Sequence, residues 1–440
     1  MKDFGMYNYM HKFPTTETLK MPKNSPRIYP TQLEPQSFGQ FRARCVTPNF
    51  EPIEGATVSI SDPSNPERVI EQLTTNGSGL TEIITLPAPS IDYSLEPNSP
   101  QPYSEYDLQI TAPGFQGAFF SDIEILPDVT ALQEANLIPV PEPSAEEASF
   151  VIDPHTLYAE YPPKIPEDEI KPTGETGEIV LPRVVIPEFV IVHDGPPASP
   201  AANHWVRFRD YIKNVASSEI YATWPESTIY ANVLAILSFT LNRVYTEWYR
   251  NQGYNFTITS STAYDHKWIN GRNIYQNISV IVDSVFTNFL SRPNVRQPIL
   301  TQYCDGNRVT CPNWLSQWGS KTLGDQGLTA IQILRNYYGN SIYINTAQEV
   351  SGVPSSWPGY NLVSGSRGDS VRMMQEQLNR IAQVYTVIPR IAVDGAYGPR
   401  TAEAVRAFQQ VFSLPVTGIV DLATWYKISA IYVAVTRIAE

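Results

Sequence analysis

The chain is short of cysteine, histidine and basic charge. Its three cysteines, Cys45, Cys304 and Cys311, are too few in 440 residues for a disulfide scaffold. With 31 Lys and Arg against 44 Asp and Glu, the formal net charge is −13. Such a chain offers no broad basic surface to nucleic-acid or lipid phosphates. No apolar run is long enough for a membrane span. The N-terminus, MKDFGMYNYMHKF, lacks the apolar core of a secretory leader. The expectation is a protein made without a signal peptide and folded in a cytosol, with neither nucleic acid nor membrane as a partner. Charge does not draw it to an anionic cell wall either, so wall attachment needs a dedicated module.

Hydrophobic residues make up 42% of the chain and aromatics 11%, enough for several cores, and the length suggests about three domains. Residues 1–36 are polar, with weak periodicity, and read as an N-terminal arm. Residues 37–140 hold short alternating β-branched runs (FRARCV, GATVSISD, LTEIITL, YDLQITA, FSDIEIL) separated by DPSNPE, TTNGSG, EPNSPQP and APGFQG. That spacing predicts a small antiparallel β-sandwich with no catalytic constellation. Residues 141–200 hold about a third of the 38 prolines and many acids. They read as an extended linker, or a belt over the next domain, with an exposed protease site in PSAEEASFVID.

Residues 201–350 predict an α+β domain. A helix opens at Pro225 and carries Ile229, Val233, Ile236, Leu237, Leu241, Val244, Tyr245 and Trp248 at helical spacing, with Gly253 after its end. YNFTITSST reads as a strand; NIYQNISVIVDSVFTNFL and LTAIQILRNYY read as helices. After a short linker, residues 361–440 are helical. Asp369 can cap a helix with Val371, Met374 and Leu378 inward, and Thr401 a second with Ala404, Val405 and Phe408 inward. The overall class is multidomain α+β.

Three stretches carry family resemblances. GATVSI, TTNGSG and a YxLxIxAxGF strand resemble transthyretin-like and carboxypeptidase-regulatory-like sandwiches. GSRGDSVRMMQEQLNRI with VDGAYGPRTAEAVRAFQQVFSLPVTGIVDLATWYKI resembles the three-helix peptidoglycan-binding domain over residues 361–428. That resemblance makes Phe408 and Trp425 core and implies contact with peptidoglycan glycan strands or stem peptides near the VDGAYG turn, where Asp394, Gly395, Tyr397 and Arg400 are the wall-binding candidates. DYIKNVASSEIYATWPESTIYANVLAILSFTLNRVY and CPNWLSQWGSKTLGDQGLTAIQILRNYYGN resemble the catalytic domain of stage II sporulation protein D over residues 210–340.

The last resemblance implies a lytic transglycosylase that cuts the MurNAc–GlcNAc bond, with its motif glutamate at Glu219. The alternative is a solvated Glu at a helix start. Protonating a glycosidic oxygen at neutral pH needs a carboxylic acid whose pKa is raised by apolar surroundings; Ile220, Tyr221 and Trp224 are at hand. One carboxylate suffices where the sugar's own C6 hydroxyl attacks the anomeric carbon and leaves a 1,6-anhydro-muramyl end. Trp224, Arg243, Gln317, Trp318, Tyr337 and Tyr338 are candidates to shape the cleft. The sequence departs from the pattern at Leu237, where many members carry Arg; Arg243 is the possible substitute. Some members bind zinc through Cys and His. Here Cys304 and Cys311 have no His between them and His266 is the only one nearby, which leaves a disulfide, two free thiols or a metal site open, with no metal and no cofactor expected.

The order of parts resembles the clostridial spore cortex-lytic proenzymes. It implies a zymogen made without a signal peptide and deposited at the spore, with a germination protease as partner and a cut near Phe150, Val151 and Ile152. The rival readings are a wall-binding scaffold with a degenerate central domain and a phage-type lysin that needs no activation.

Overall fold

The computed structural model describes residues 37–140, 147–171, 181 and 183–437. The arm expected over residues 1–36 lies outside them, as do parts of the linker, including half of PSAEEASFVID.

Eight strands open the described chain: β1 (Ser37–Val46), β2 (Thr57–Asp62), β3 (Asn65–Thr74), β4 (Ile84–Ala88), β5 (Ser104–Thr111), β6 (Gly117–Ile125), β7 (Thr130–Asn136) and β8 (Glu147–Val151). β2, β4 and β5 alternate inward apolar and outward polar residues over much of their length, the period-2 pattern of a half-buried strand, while β3 is exposed except at Leu73. Phe41, Ala43 and Cys45 of β1, Val58 and Ile60 of β2, Leu108 and Ile110 of β5 and Phe120 of β6 belong to one apolar core. The sheets are mixed, which corrects the antiparallel expectation. β1 pairs parallel with β7, and β6 parallel with β8. The correction also moves a boundary: β8, read as linker, is the outer strand of the order β3-β2-β5-β6-β8.

The following segment, residues 152–171, is a belt against the central helices. Beyond it come β9 (Val185–Ile186), β10 (Phe189–His193), β11 (Asn203–Arg207), α1 (Phe208–Glu219), α2 (Glu226–Tyr245), α3 (Trp248–Asn251), β12 (Ile258–Thr259), β13 (Ile274–Tyr275), α4 (Gln276–Val285), β14 (Asn288–Ser291), β15 (Tyr303–Cys304), β16 (Leu315–Ser316), α5 (Gln317–Asp325), α6 (Ala330–Tyr338), β17 (Tyr343–Thr346) and β18 (Glu349–Val350). α2 is apolar on nearly every face and accordingly buried, with α1, α4, α5 and α6 packed around it. Pro225 is its N-cap rather than its first residue. YNFTITSST supplies a strand of two residues only, and Ile274–Tyr275, read as helix, pairs with β7 to complete the order β13-β7-β1-β4.

That pairing stitches the β region to the central region. Beside it the Arg272 guanidinium donates to Glu124 Oε2 at 2.5 Å, both side chains fully buried, and Asn273 Nδ2 donates to the Glu124 carbonyl at 2.9 Å.

Three helices end the described chain: α7 (Asp369–Val384), α8 (Pro399–Val411) and α9 (Leu422–Thr436). Val371, Met374, Leu378, Ala404, Val405, Phe408 and Trp425 are all buried. The expected caps are corrected. Gly368 and Gly398 hold the N-cap positions and Asp369 and Thr401 lie inside the helices. No helix among the described residues is long and apolar enough to cross a membrane.

Candidate active site

Glu219 ends α1, and its residue is fully buried. Its Oε1 accepts the backbone N–H of Lys267 at 2.6 Å and its Oε2 accepts the Tyr303 hydroxyl. Burial raises the Glu219 pKa above the ordinary carboxylate range; Lys164 and these two donors pull the other way without cancelling it. Tyr303 is itself buried and its pKa is raised well above 10, so it stays protonated and donating.

Gln317, the second residue of SQWG, donates from Nε2 to the Glu219 carbonyl at 3.1 Å. The motif's local logic is a helix start: Ser316 caps α5 by accepting the Gly319 N–H at 2.9 Å. Gly319 is required because a Cβ there would stand 2.2 Å from the Tyr337 hydroxyl. Trp318 tilts against Trp224 at 5.0 Å, and Tyr221 meets both rings edge-on. The structure therefore brings Glu219, Trp224, Gln317 and Trp318 together. Trp224 donates from Nε1 to the Ser94 carbonyl of the β region at 2.8 Å, and its ring is sealed. Tyr338 is buried and donates to the Gln302 carbonyl at 2.9 Å; Tyr337 is half-buried at α5.

Arg243 is corrected from a cleft residue to a structural one. It is fully buried and gives its donors to Asp265 (2.7 Å), to both oxygens of Glu167 (2.9 and 2.6 Å) and to the Tyr264 carbonyl (3.3 Å). Four of its five N–H groups are taken, and the side chain exposes no surface to a substrate. Leu237 is fully buried core of α2. Cys304 and Cys311 form a disulfide, Cα–Cα 5.6 Å, which resolves the three alternatives. Among the described residues no group of three His, Cys, Asp or Glu is placed to hold a metal ion.

The belt expected over the next domain closes the site, although sequence reasoning named none of its contact residues. The belt lies on it: Thr156 donates through N and Oγ1 to the Ser218 carbonyl (3.2 and 2.9 Å), His155 stacks on Tyr221 at 4.4 Å, and Asp153 pairs with Lys267 at 2.5 Å. Lys164 of the belt is 5% exposed. Its Nζ donates to the carbonyls of Thr262 (3.0 Å) and Asp265 and lies 4.7 Å from the Tyr303 ring centroid. His266 is buried, accepts or donates at Nδ1 with the Tyr211 hydroxyl (3.0 Å), and lies parallel to the Tyr303 ring at 5.7 Å. His155 Nε2, Tyr161 Oη, His266 Nε2, Gln317 Oε1 and Trp318 Nε1 are buried with no hydrogen-bond partner. Native interiors hold only a few such atoms per hundred residues.

The cut-site expectation is also corrected. Phe150 lies in β8 and stacks on Phe120 at 4.7 Å, and Ile152 is 2% exposed. Only Val151, 62% exposed, faces solvent. Paired strand backbone is a poor protease substrate.

At the wall-binding candidates, Gly395 has φ +71°, in the left-handed turn its sequence suggests. Asp394 holds that turn by accepting the Ala396 N–H at 2.8 Å and Gln375 Nε2 at 3.1 Å, and these donors lower its pKa. Tyr397 is corrected: its ring is 2% exposed and its hydroxyl donates to the Gly418 carbonyl at 2.8 Å, so it cannot stack on a sugar. Asp394 and Arg400 are exposed.

Residues 367–428 match the family model described as a peptidoglycan binding domain. The chain carries a peptidoglycan-binding domain. It is 38% identical over 73 residues to the zinc D-Ala-D-Ala carboxypeptidase of Streptomyces albus G, a match over 17% of this chain and 27% of that one. The chain thus spans about a quarter of the length of this relative. Among solved structures, the Bacillus anthracis TIE protein is 17% identical over 24% of this chain and 17% of its own, TM-score 0.17. Catechol 1,2-dioxygenase of Acinetobacter radioresistens is 13% identical over 26% and 57%, TM-score 0.17. At those scores neither structural likeness bears on fold or chemistry.

Proposed function

We propose that the chain is the latent form of a lytic transglycosylase acting on spore cortex peptidoglycan during germination. Its parts would be a transthyretin-like pro-domain, a sporulation-protein-D-like catalytic domain and the wall-binding domain. The carrying observation is Glu219: a carboxyl buried at the end of α1, held by two donors, with its pKa raised by burial. A raised pKa favours the protonated carboxyl, the form that protonation of the MurNAc–GlcNAc oxygen needs. Once ionised, the same group can take the proton of the C6 hydroxyl as the anhydro ring closes. Tyr303 and the Lys267 N–H would hold the carboxylate through that exchange. The partnerless polar atoms around it suit the hydroxyl and amide groups of a glycan.

Latency is read from the belt. No substrate reaches a carboxyl buried under Thr156, His155 and Lys164, so a lysin active at full length is the weaker reading. A germination protease would open the chain upstream of Ile152, at the spore.

The test is mass spectrometry of purified cortex digested with the full chain, with the chain cut between residues 140 and 152, and with the cut Glu219→Gln variant. The expected products are 1,6-anhydro-muramyl ends from the cut wild type alone. Reducing ends would make it a hydrolase, and no products from any form would make it a scaffold.

A further inference from the structure

Lys164 is 5% exposed, and among the described residues no carboxylate is in ion-pair contact with it. Burying an ammonium costs free energy unless its donors are met. Here two carbonyls, Thr262 and Asp265, meet them, and the faces of Tyr303 (4.7 Å) and Phe239 (5.7 Å) flank the charge. The walls of this socket all come from the central region; the occupant comes from the belt. The socket is rigid by its own means. The Asp265 carboxylate accepts from Arg243 Nε (2.7 Å), the Tyr249 hydroxyl (2.7 Å) and the N–H and hydroxyl of Thr259 (2.9 and 2.7 Å), which fixes the Thr262–Asp265 loop without Lys164. Tyr303 is in turn tied to Glu219. A preformed slot that two aromatic faces and two carbonyl oxygens shape for an N–H donor, sharing a wall with the candidate acid, is more than belt anchoring demands. The belt is already held by Ile165 N–H to the Ala263 carbonyl and by Gln302 Nε2 to the Ile165 carbonyl, both 2.8 Å.

We propose that this socket is a substrate subsite for the C2 nitrogen of a hexosamine, free amine or acetamide, and that Lys164 occupies it as an internal stand-in. The proposal rests on the reading of Glu219 as a glycosidic acid. It also implies that a cut upstream of Ile152 leaves the stand-in attached, so the cut activates by freeing the belt to swing out.

The socket is tested on the full chain without turnover. Lys164→Met keeps the stem and removes the ammonium, leaving two carbonyls unmet. Ammonium chloride is expected to raise its melting temperature by about 3 °C over equimolar potassium chloride and to leave the wild type unmoved. Lys164→Ala, with room for a longer probe, is expected to respond to n-butylammonium and not to butanol. Equal melting in ammonium and potassium, and in amine and alcohol, overturns the socket. On the cut chain, n-butylammonium is expected to inhibit cortex digestion competitively, raising KM several-fold at unchanged kcat. Rescue of melting without competitive inhibition overturns the assignment to substrate. Digestion of N-acetylated against N-deacetylated peptidoglycan separates the acetamide from the free amine as the natural occupant. If no form of the chain releases product, the reading of Glu219 has failed, and the melting arm still decides the socket.

Discussion

Tyr303 shows how much of the site depends on single donors. Its hydroxyl stabilises the charged form of Glu219, so Tyr303→Phe is expected to push the Glu219 pKa further up. In the cut chain the basic limb of the pH–rate profile should move to higher pH, and kcat should fall about 10-fold with KM little changed. A profile identical to wild type would remove Tyr303 from the mechanism. The same linkage acts on stability. The Glu219 carboxyl has a folded pKa above its unfolded value, so its contribution is full below pH 4.5 and is lost as pH rises through the raised value. Melting curves from pH 4 to 8 should show that loss, and Glu219→Gln should flatten it. Asp283 carries the opposite sign. Lys213 at 2.7 Å and Arg209 at 3.3 Å hold its pKa below 3.8, so its contribution is present above that pH and is lost as pH falls through the lowered value. Asp283→Asn, which strands a buried lysine, should cost about 3 kcal/mol at pH 7 and weaken the acid transition; urea titration at pH 7 and pH 3 reads both. The Glu219 candidate comes from a motif that is local in the sequence. Tyr303, 84 residues away, and Lys164 were not readable, because a buried carboxylate's partners are chosen by packing and leave no spacing to read.

At the level of elements, β13 is the informative case. Residues 274–275 sit in front of an amphipathic run and follow its period, yet they fold as strand because the open edge of β7 supplies backbone partners. Helix α4 then starts at Gln276. Tertiary pairing overrode the local pattern, as it did where β8 joined β6. Glu124→Gln is expected to destabilise the full chain by about 3–5 kcal/mol in urea, because it leaves the Arg272 guanidinium buried without its counter-charge. A change under 1 kcal/mol would mean that Arg272 reaches water. The apolar faces of α7 and α8 were readable by contrast, since a helix that buries one stripe writes it at every third and fourth position. Their caps were read one to three residues off, because glycine N-caps carry no side chain to announce them.

On the scale of the whole molecule, the first strand holds the last domain. Arg44 of β1 donates to the Val411 carbonyl and lies 4.9 Å over the Phe412 ring; the Tyr385 hydroxyl donates to the Phe50 carbonyl; Arg437 pairs with Glu51 at 3.4 Å. Together with the buried Arg272–Glu124 pair, these contacts should keep a chain nicked between residues 140 and 152 in one piece. Size-exclusion chromatography of nicked protein at pH 7 is expected to give one peak holding both fragments, and the double variant Arg44→Ala/Glu124→Gln two. Immediate separation of the nicked wild type would contradict it.

The grip of Arg44 falls at the C-terminal end of α8, while Asp394, Gly395 and Arg400 lie at its N-terminal end, roughly 16 Å away along the axis. The surface that would meet the wall is thus open while the acid is sealed. If the proposed reading holds, mooring precedes cutting: the number of molecules on a cortex is set before any proteolysis, and the protease governs only when they all begin.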